Sequence, residues 1–314
     1  MNNKIRDIVY KKIIPSGQAG RVCIIGGCRE YTGAPYYAAV SSLKTGCDLS
    51  WVMCSSKATE IKTYTPEIIV LPMLSEDDLK NDEEKSIMKE FDTMLGRLHV
   101  LVIGPGLGRN KTLLSLVEKM IKAAREKNVP LVIDGDGLFL VSQNLDIIKG
   151  YKRAILTPNP NEFKKLCESV FSEQELKDQD PEDQKQQEKL IRDLCDKLGN
   201  VTVVRKGGKD IICSGKSDEH YLTCEVEGSP RRCGGQGDVL AGAMGTFLHW
   251  SIQASENDEA LDERVAILHG AYGACALARS CGRAAFGKLK RGTTTPDIIE
   301  KIPEVFESLY PHQE

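Results

Sequence analysis

The stretch VLVIGPGLGRNKTLLSLVEKMIKAAREKNVPLVIDG, residues 100–135, decides the fold. It opens with a continuous apolar run at 100–104 (VLVIG) and closes with another at 131–135 (LVIDG). Between them, from 111 to 128, apolar residues recur at helical spacing. Continuous apolar runs are typical of strands covered on both faces. The stretch therefore predicts a strand, a helix and a second, parallel strand joined by a right-handed crossover.

The same alternation continues outward in both directions. Further apolar runs occur at 22–27 (VCIIGG), 154–158 (AILTP) and 201–205 (VTVVR), and 182–198 shows helical spacing. This pattern predicts an α/β fold of three layers, with a mostly parallel central sheet and helices on both faces. No internal repeat and no Pro- or Ser-rich linker interrupts it. We therefore expect residues 1–314 to form a single domain, with an acidic, solvated surface excursion at 168–193.

Composition excludes several classes of protein. A net charge of -3 and a pI near 6.1 provide no basic field for binding nucleic acid. Hydrophobic residues at 41% and charged residues at 28% are typical of a soluble protein, and no apolar run approaches the roughly 18 residues of a membrane span. Eleven Cys without a CxxC pair indicate reduced thiols. Residues 1–15 fit a short docked helix better than a targeting presequence, so we expect a cytoplasmic protein.

Glycine is the enriched residue, at 28 of 314, or about 9% against an average near 7%. Many of these glycines follow predicted strands, and open α/β sheets bind ligands beyond the carboxyl ends of their strands. The segment Gly104-Pro105-Gly106-Leu107-Gly108 is one example. Its GxGxG spacing matches a dinucleotide fingerprint only weakly. Exposed backbone that approaches an anionic ligand and a plain tight turn both remain open for it.

The most informative stretch is residues 228–238, GSPRRCGGQGD, followed by an apolar segment of small residues at 239–245. This pattern predicts a loop that leads into a buried helix whose first amides are free to stabilise a phosphoryl group. Asp238 lies at that helix start. It fits a general base that takes a proton from a hydroxyl. The alternative is an N-terminal cap.

Two other strand ends carry polar residues. Residues 157–163, TPNPNEF, offer the oxygens of Asn159 and Glu162, which Mg²⁺ prefers directly or through water. The alternative is a capped helix that starts with proline. Residues 206–210, KGGKD, lead into Ile211-Ile212-Cys213 and predict a hairpin, whose amides and lysines either border a nucleotide or have no role beyond the turn.

Together these motifs resemble the ribokinase-like superfamily, and within it the NAD(P)H-hydrate dehydratase family. The resemblance rests on GPGLG at 104–108, TPNPNEF at 157–163, KGGKD at 206–210 and GGQGD at 234–238. The segment at 25–35, IGGCREYTGAP, is typical of these dehydratases rather than of sugar kinases. The resemblance covers nearly the whole chain, apart from the acidic excursion and the extreme termini.

The resemblance implies a repair enzyme that dehydrates the S epimer of hydrated NADH or NADPH, using ATP as co-substrate and Mg²⁺. Asp238 would be the base, and the amides of Gly234, Gly235 and Gly237 would stabilise the transferred phosphoryl group. The residues implied to hold the hydrate are Gly106, Asn159, Pro160, Asn161, Glu162, Phe163, Lys164, Lys165 and Asp238. Those implied to hold ATP are Lys206, Gly207, Gly208, Lys209, Asp210, Gly228, Ser229, Pro230, Arg231, Arg232, Cys233, Gly234, Gly235, Gln236 and Gly237.

Other implications concern the nucleotide and the partners. Gln236 stands where the bacterial pattern commonly has Thr, which favours ATP over ADP. A separate NAD(P)H-hydrate epimerase is implied as a metabolic partner, and a homo-oligomer is compatible with an exposed sheet edge. The nearest alternative is a small-molecule kinase of the same fold acting on a vitamin-precursor alcohol. A nucleotide-binding regulator without catalysis is less compatible with Asp238 beside the glycines.

Overall fold

One central sheet organises the protein. The computed structural model describes residues 18–177, 180 and 183–311, so the helix expected at residues 1–15 lies outside the described residues. Within them the strands are β1 (Arg21–Ile25), β2 (Leu49–Ser55), β3 (Ile69–Leu74), β4 (Val100–Ile103), β5 (Leu131–Ile133), β6 (Ala154–Leu156), β7 (Thr202–Arg205), β8 (Asp210–Cys213) and β9 (Tyr221–Cys224). All five strands predicted from the sequence are present.

The strands form a sheet in the order β3-β2-β1-β4-β5-β6-β7-β8-β9. Every pair from β3 to β7 is parallel, whereas β8 and β9 continue the sheet as antiparallel strands. The mostly parallel sheet is therefore confirmed. The predicted hairpin after β7 is also confirmed, because Arg205 pairs with Ile211 across the turn at 206–210.

Helices connect the strands. In the described residues they are α1 (Gly33–Thr45), α2 (Asn81–Leu95), α3 (Lys111–Glu126), α4 (Asp136–Gln143), α5 (Pro160–Val170), α6 (Glu173–Lys177), α7 (Gln184–Lys197), α8 (Gln236–Glu256), α9 (Glu263–Leu289), α10 (Thr295–Glu300) and α11 (Ile302–Leu309). Short 3₁₀ turns lie at Thr59–Thr63, Leu145–Ile147, Asp218–His220 and Lys290–Gly292.

The helices cover both faces of the sheet, which confirms the three-layer architecture. In β1 the side chains of Val22 and Ile24 pack into one core, together with α1, α8 and α9. The alternating side chains Cys23 and Ile25 pack into the other core, with α2, α3, α5 and α7. This arrangement follows from the period of two in a strand, since an uninterrupted apolar run supplies both faces at once.

The described part of the region 168–193 contains α6 and most of α7, and α7 is the helix that the spacing at 182–198 predicts. Helix α7 begins inside it, one residue after Asp183, whose side chain accepts a hydrogen bond from Lys185 N at 2.9 Å. Ile191 is fully buried in the core formed with α2, α3 and α5. The apolar face of α7 therefore anchors the second half of this region.

Two global expectations can be compared with the structure. No helix in the described part of the chain is long and apolar enough to cross a membrane. All eleven Cys are free thiols, and every one except Cys233 is buried. Burial raises the pKa of most of these thiols, to about 12 for Cys23 and Cys54. Protonated, buried thiols behave as small apolar side chains.

Candidate active site

The site lies at the carboxyl ends of the neighbouring strands β5, β6 and β7. Asp134 follows β5, Thr157 follows β6 and Lys206 follows β7. The buried Asp134 accepts two hydrogen bonds at Oδ1, one from Thr157 Oγ1 at 2.7 Å and one from Lys206 Nζ at 2.7 Å. A buried carboxylate with a cationic partner and a hydroxyl donor is well satisfied. This network therefore fixes the Lys206 ammonium between the strand ends.

The glycine-rich loop after β4 packs tightly against the next strand end. Gly104 has φ +121°, and a Cβ there would lie 1.7 Å from the carbonyl oxygen of Asp134. Only glycine fits this approach. Two residues on, Gly106 lines a cavity. The tight turn is therefore present at Gly104, whereas the approach of the Gly106 backbone to an anionic ligand stays a prediction.

Helix α8 begins with an uncapped amino end. Its N-cap is Gly235, at φ +95°, and no side chain caps the first turn. A Cβ on Gly235 would lie 2.7 Å from Thr295 Oγ1, so glycine is required here for both space and conformation. Asp238 lies in the first turn and is not the cap. The capping alternative for Asp238 is therefore wrong, and the first turn of α8 carries this carboxylate without a side-chain cap.

Burial dominates the electrostatics of Asp238. Burial and, to a lesser extent, the nearby Asp134 raise the pKa of this carboxyl, Lys206 lowers it, and the net result is a pKa of about 8. An ordinary aspartate, with a pKa near 4, is a weak base at neutral pH. A carboxyl that titrates near the working pH is suited to accept a proton and to release it again.

The other charged groups of the site reinforce one another. Burial lowers the pKa of Lys206, but the negative charges of Asp134, Glu162 and Asp238 raise it by more, so the net shift is upward and the ammonium stays charged. Burial raises the pKa of Glu162 against the opposing effect of Lys206. Lys206 therefore places a charged ammonium among these carboxyl groups.

A cavity of about 680 Å³ lies on the β7–β8 side of the α8 amino end. It is lined by most of the residues that the sequence assigned to ATP, namely Lys206, Gly207, Gly208, Lys209, Asp210, Gly228, Ser229, Pro230, Arg232, Cys233, Gln236 and Gly237. Arg231, Gly234 and Gly235 do not line it. The Arg231 main chain is held by Ser229 and Gln236, and Gly235 shapes the helix start instead.

Arg279 of α9 braces the floor of this larger cavity and was not identified from the sequence. Its guanidinium pairs with the buried Asp210 at 3.0 Å, and it also donates to the carbonyl oxygens of Gly207 and Gly208. Asp210 in turn accepts a hydrogen bond from Gly207 N at 3.0 Å. Arg279 and Asp210 therefore hold the turn at 206–210 in shape.

A smaller cavity of about 300 Å³ lies on the other side of the α8 amino end. Of the residues that the sequence assigned to the hydrate, those lining it are Gly106, Asn159, Asn161, Glu162, Lys165 and Asp238. The other three do not line it. Pro160 opens α5, Phe163 is buried in the core and Lys164 is exposed near Glu168.

Arg109 and Asp136 form part of the smaller cavity and were also missed. Asp136 accepts hydrogen bonds from Gly108 N at 2.9 Å and from Arg109 Nε at 3.1 Å. The Arg109 guanidinium lies 4.5 Å from the centre of the Phe139 ring. These contacts fix the Arg109 guanidinium on a wall that carries several carboxyl groups and a second cation, Lys165.

The two cavities meet at Asn159, which lines both. On α8, Gly237 lines the larger cavity and its neighbour Asp238 lines the smaller one. The amino end of α8 therefore lies between the two cavities, next to Asn159. This arrangement suits the transfer of a phosphoryl group from a nucleotide to a hydroxyl.

The proposed metal ligands also serve as a helix cap. Asn159 Oδ1 accepts hydrogen bonds from the amides of Asn161 and Glu162, and Glu162 Oε2 accepts one from Asn159 N at 2.8 Å. No group of three or more His, Cys, Asp or Glu that could hold a metal occurs among residues 18–177, 180 and 183–311. The cap occupies one oxygen of Glu162 and leaves the other. This donor set fits a Mg²⁺ that keeps most of its waters and binds mainly to phosphate.

Comparison with solved structures identifies the fold. A ribokinase-like superfamily protein from Enterococcus faecalis superposes with a TM-score of 0.74 at 21% identity, covering 99% of this chain and 96% of the other. An ADP/ATP-dependent NAD(P)H-hydrate dehydratase from Bacillus subtilis, co-crystallised with ATP/Mg²⁺, gives 0.67 at 19% identity, with 98% and 97% covered. The fold is therefore ribokinase-like, as the sequence motifs implied.

The sequence comparisons define the family. The family model for NAD(P)H-hydrate dehydratase matches residues 22–304. An ATP-dependent (S)-NAD(P)H-hydrate dehydratase of Pongo abelii is 44% identical over 295 residues, which cover 94% of this chain and 84% of that relative. The chain belongs to the NAD(P)H-hydrate dehydratase family. The resemblance drawn from the motifs is thereby confirmed, and the dehydratase is favoured over the small-molecule kinase.

Proposed function

We propose that this chain catalyses the ATP-dependent dehydration of the S epimer of hydrated NADH and NADPH, releasing ADP and phosphate. The observation that carries the proposal is the position of Asp238 and Gly237. They lie side by side at an uncapped helix start, one facing each of two cavities. Membership of the family supports the same chemistry. ATP occupies the larger cavity, and the hydrated nicotinamide ring occupies the smaller one.

The chain's residues supply a base and an anion site. Asp238 takes the proton of the C6 hydroxyl as its oxygen attacks the γ-phosphorus, and the bond between that phosphorus and ADP breaks. The free amides at the start of α8 and the Lys206 ammonium stabilise the charge on the transferred group. Elimination then breaks the C6–O bond, because phosphate is a much better leaving group than hydroxide and the ring nitrogen donates electrons. Loss of a proton from C5 completes the reduced ring.

Mg²⁺ completes the proposal. Asn159 and Glu162 would hold it, through water, next to the nucleotide phosphates, where it would neutralise negative charge during transfer.

The remaining parts of the proposal concern the cell. We place the protein in the cytoplasm as a single domain that forms a homo-oligomer. A separate epimerase converts the other hydrate epimer into its substrate.

The test uses the full chain, chemically hydrated NADPH, Mg²⁺ and ATP. We expect the absorbance of the reduced nicotinamide band to return, with one ADP and one phosphate formed per NADPH recovered. The surface variant Lys216→Met should behave as the unmodified chain, since among the residues that the structure describes the Lys216 ammonium pairs with Asp193 and Asp196, away from both cavities. Stable accumulation of a phosphorylated dinucleotide, or no recovery with ATP or ADP, would refute the dehydratase.

A further inference from the structure

The feature that the reaction scheme leaves without a role is the buried carboxylate Asp134. Its side chain is only 6% exposed, and it lies outside the linings of both cavities. It nevertheless contacts Lys206, which does line the larger cavity. Burying a charge is unfavourable unless its partner and hydrogen bonds compensate. A carboxylate in this position needs an explanation beyond packing.

Geometry places the Asp134–Lys206 pair directly behind the point of transfer. Lys206 Nζ lies 3.5 Å, and Asp134 Oδ2 3.8 Å, from where a Cβ on Gly237 would stand. Gly237 is the residue of α8 that faces the nucleotide, next to the base Asp238. The missing side chain of Gly237 thus lets the ammonium approach the helix start. Thr157 fixes the other side of the pair by donating to the same Asp134 oxygen.

We propose that Asp134 is a positioning residue, which holds the Lys206 ammonium at the start of α8 and keeps it from pairing with the base Asp238. This proposal rests on the proposed function. The carboxyl groups that influence Lys206 are Asp134, Glu162 and Asp238. Lysine has a long flexible stem, so without Asp134 the ammonium is free to turn toward either of the other two. Pairing with Asp238 would neutralise the base and remove the cation from the phosphoryl path.

Asp134 and Lys206 have opposite electrostatic effects on the pKa of the base Asp238. Asp134 raises the pKa of Asp238, and Lys206 lowers it. Removing the charge of Asp134 therefore lowers the pKa of Asp238 by losing the first effect and by strengthening the second. A residue with a merely structural role would reduce turnover without moving the pH dependence in this direction.

The test compares Asp134→Asn with the unmodified chain in the hydrated-NADPH assay. We expect kcat to fall about 100-fold, the size of an electrostatic contact made in the transition state, while the Kd for ATP changes little. The acid limb of the pH–kcat/KM profile should move to lower pH. Asp196→Asn is the matched control, because it removes a surface carboxylate that pairs only with Lys216. It should leave both readouts unchanged.

A double-mutant cycle separates positioning from independent effects. In a Lys206→Met background, Asp134→Asn should change kcat by less than about threefold, since neighbours that act as a unit are not additive. Additive losses, or an unmoved pH profile, would overturn the proposal. If Asp134→Asn does not fold, Thr157→Val removes one hydrogen bond to Asp134 and should lower kcat in the same direction by less. An unmodified chain without dehydratase activity would instead refute the proposed function.

Discussion

The rate of dehydration should rise with pH across the physiological range, because Asp238 acts only when ionised. Its pKa of about 8 is far above that of an exposed aspartate. With that value, about one tenth of the carboxyl is ionised at pH 7 and about nine tenths at pH 9. We therefore expect kcat/KM for the hydrate to increase about ninefold between these pH values. The measurement uses subsaturating ATP and hydrate, so that the profile reports the free enzyme.

The decisive perturbation is Asp238→Asn, which keeps the shape of the side chain and removes the base. We expect kcat to fall by about 10²–10⁴-fold, the usual contribution of general acid–base catalysis. The residual rate should lose the rise between pH 7 and pH 9. ATP binding, followed by calorimetry, should persist because the larger cavity is lined by Gly237 rather than Asp238.

The free energy of unfolding should change with pH in the opposite direction to the rate, falling as pH rises. Since the pKa of Asp238 is higher in the folded protein than in the unfolded chain, the folded state keeps its proton where the unfolded chain has lost it. The stabilisation is complete below about pH 4 and is lost as pH rises through about 8. Asp238→Asn should therefore gain stability relative to the unmodified chain as pH increases, seen as a higher melting temperature at pH 9 but little difference at pH 4.

A flat pH–rate profile between 7 and 9, or a near-normal rate for the variant, would refute the assignment of Asp238 as the base.

Four further predictions address the surroundings of the base. Gly235→Ala should lower the free energy of unfolding by about 1–3 kcal/mol in denaturant titrations, because its φ of +95° and the contact with Thr295 exclude a side chain. Arg279→Ala should raise KM for ATP about tenfold or more while that for the hydrate changes little, since it removes the brace of the turn at 206–210; equal effects on both would contradict this role. Arg109→Ala should raise KM for the anionic hydrate and leave KM for ATP unchanged, because only the smaller cavity loses a cation. Chelation of Mg²⁺ should abolish turnover, and full activity in excess chelator would contradict the metal's role.

The sequence predicts the central strands better than the edges of the sheet. β1, β4, β5, β6 and β7 are covered on both faces and therefore read as continuous apolar runs. The edge strand β3 contains Pro72 and is only partly buried, and β9 has one fully buried residue. A half-exposed edge strand needs less apolar surface and tolerates proline, so its signal is weak. The predicted strands also run one or two residues too far, into the glycines and polar residues that build the site.

The site residues that could not be predicted are those whose partners lie far away in the sequence. Asp238 could be predicted because the glycines beside it indicate the start of a helix. Asp134 ends an ordinary apolar run, and its partner Lys206 is 72 positions away. Arg279 stands alone within a long helix of small residues, and nothing near it in sequence points to the turn at 206–210. Contacts made only by folding have no local pattern, although a charged residue directly after a buried strand is a signal that could have singled out Asp134.

The position of the α8 amino end between the two cavities has a stereochemical consequence. In the proposed reaction the γ-phosphate approaches from the side of Gly237, and the attacking hydroxyl lies on the side of Asp238. Entry and departure on opposite sides of phosphorus correspond to one in-line displacement. With ATP made chiral at the γ-phosphorus by oxygen isotopes and sulfur, the configuration should be inverted in the thiophosphate that is released, because the later elimination breaks the bond to carbon and leaves phosphorus untouched.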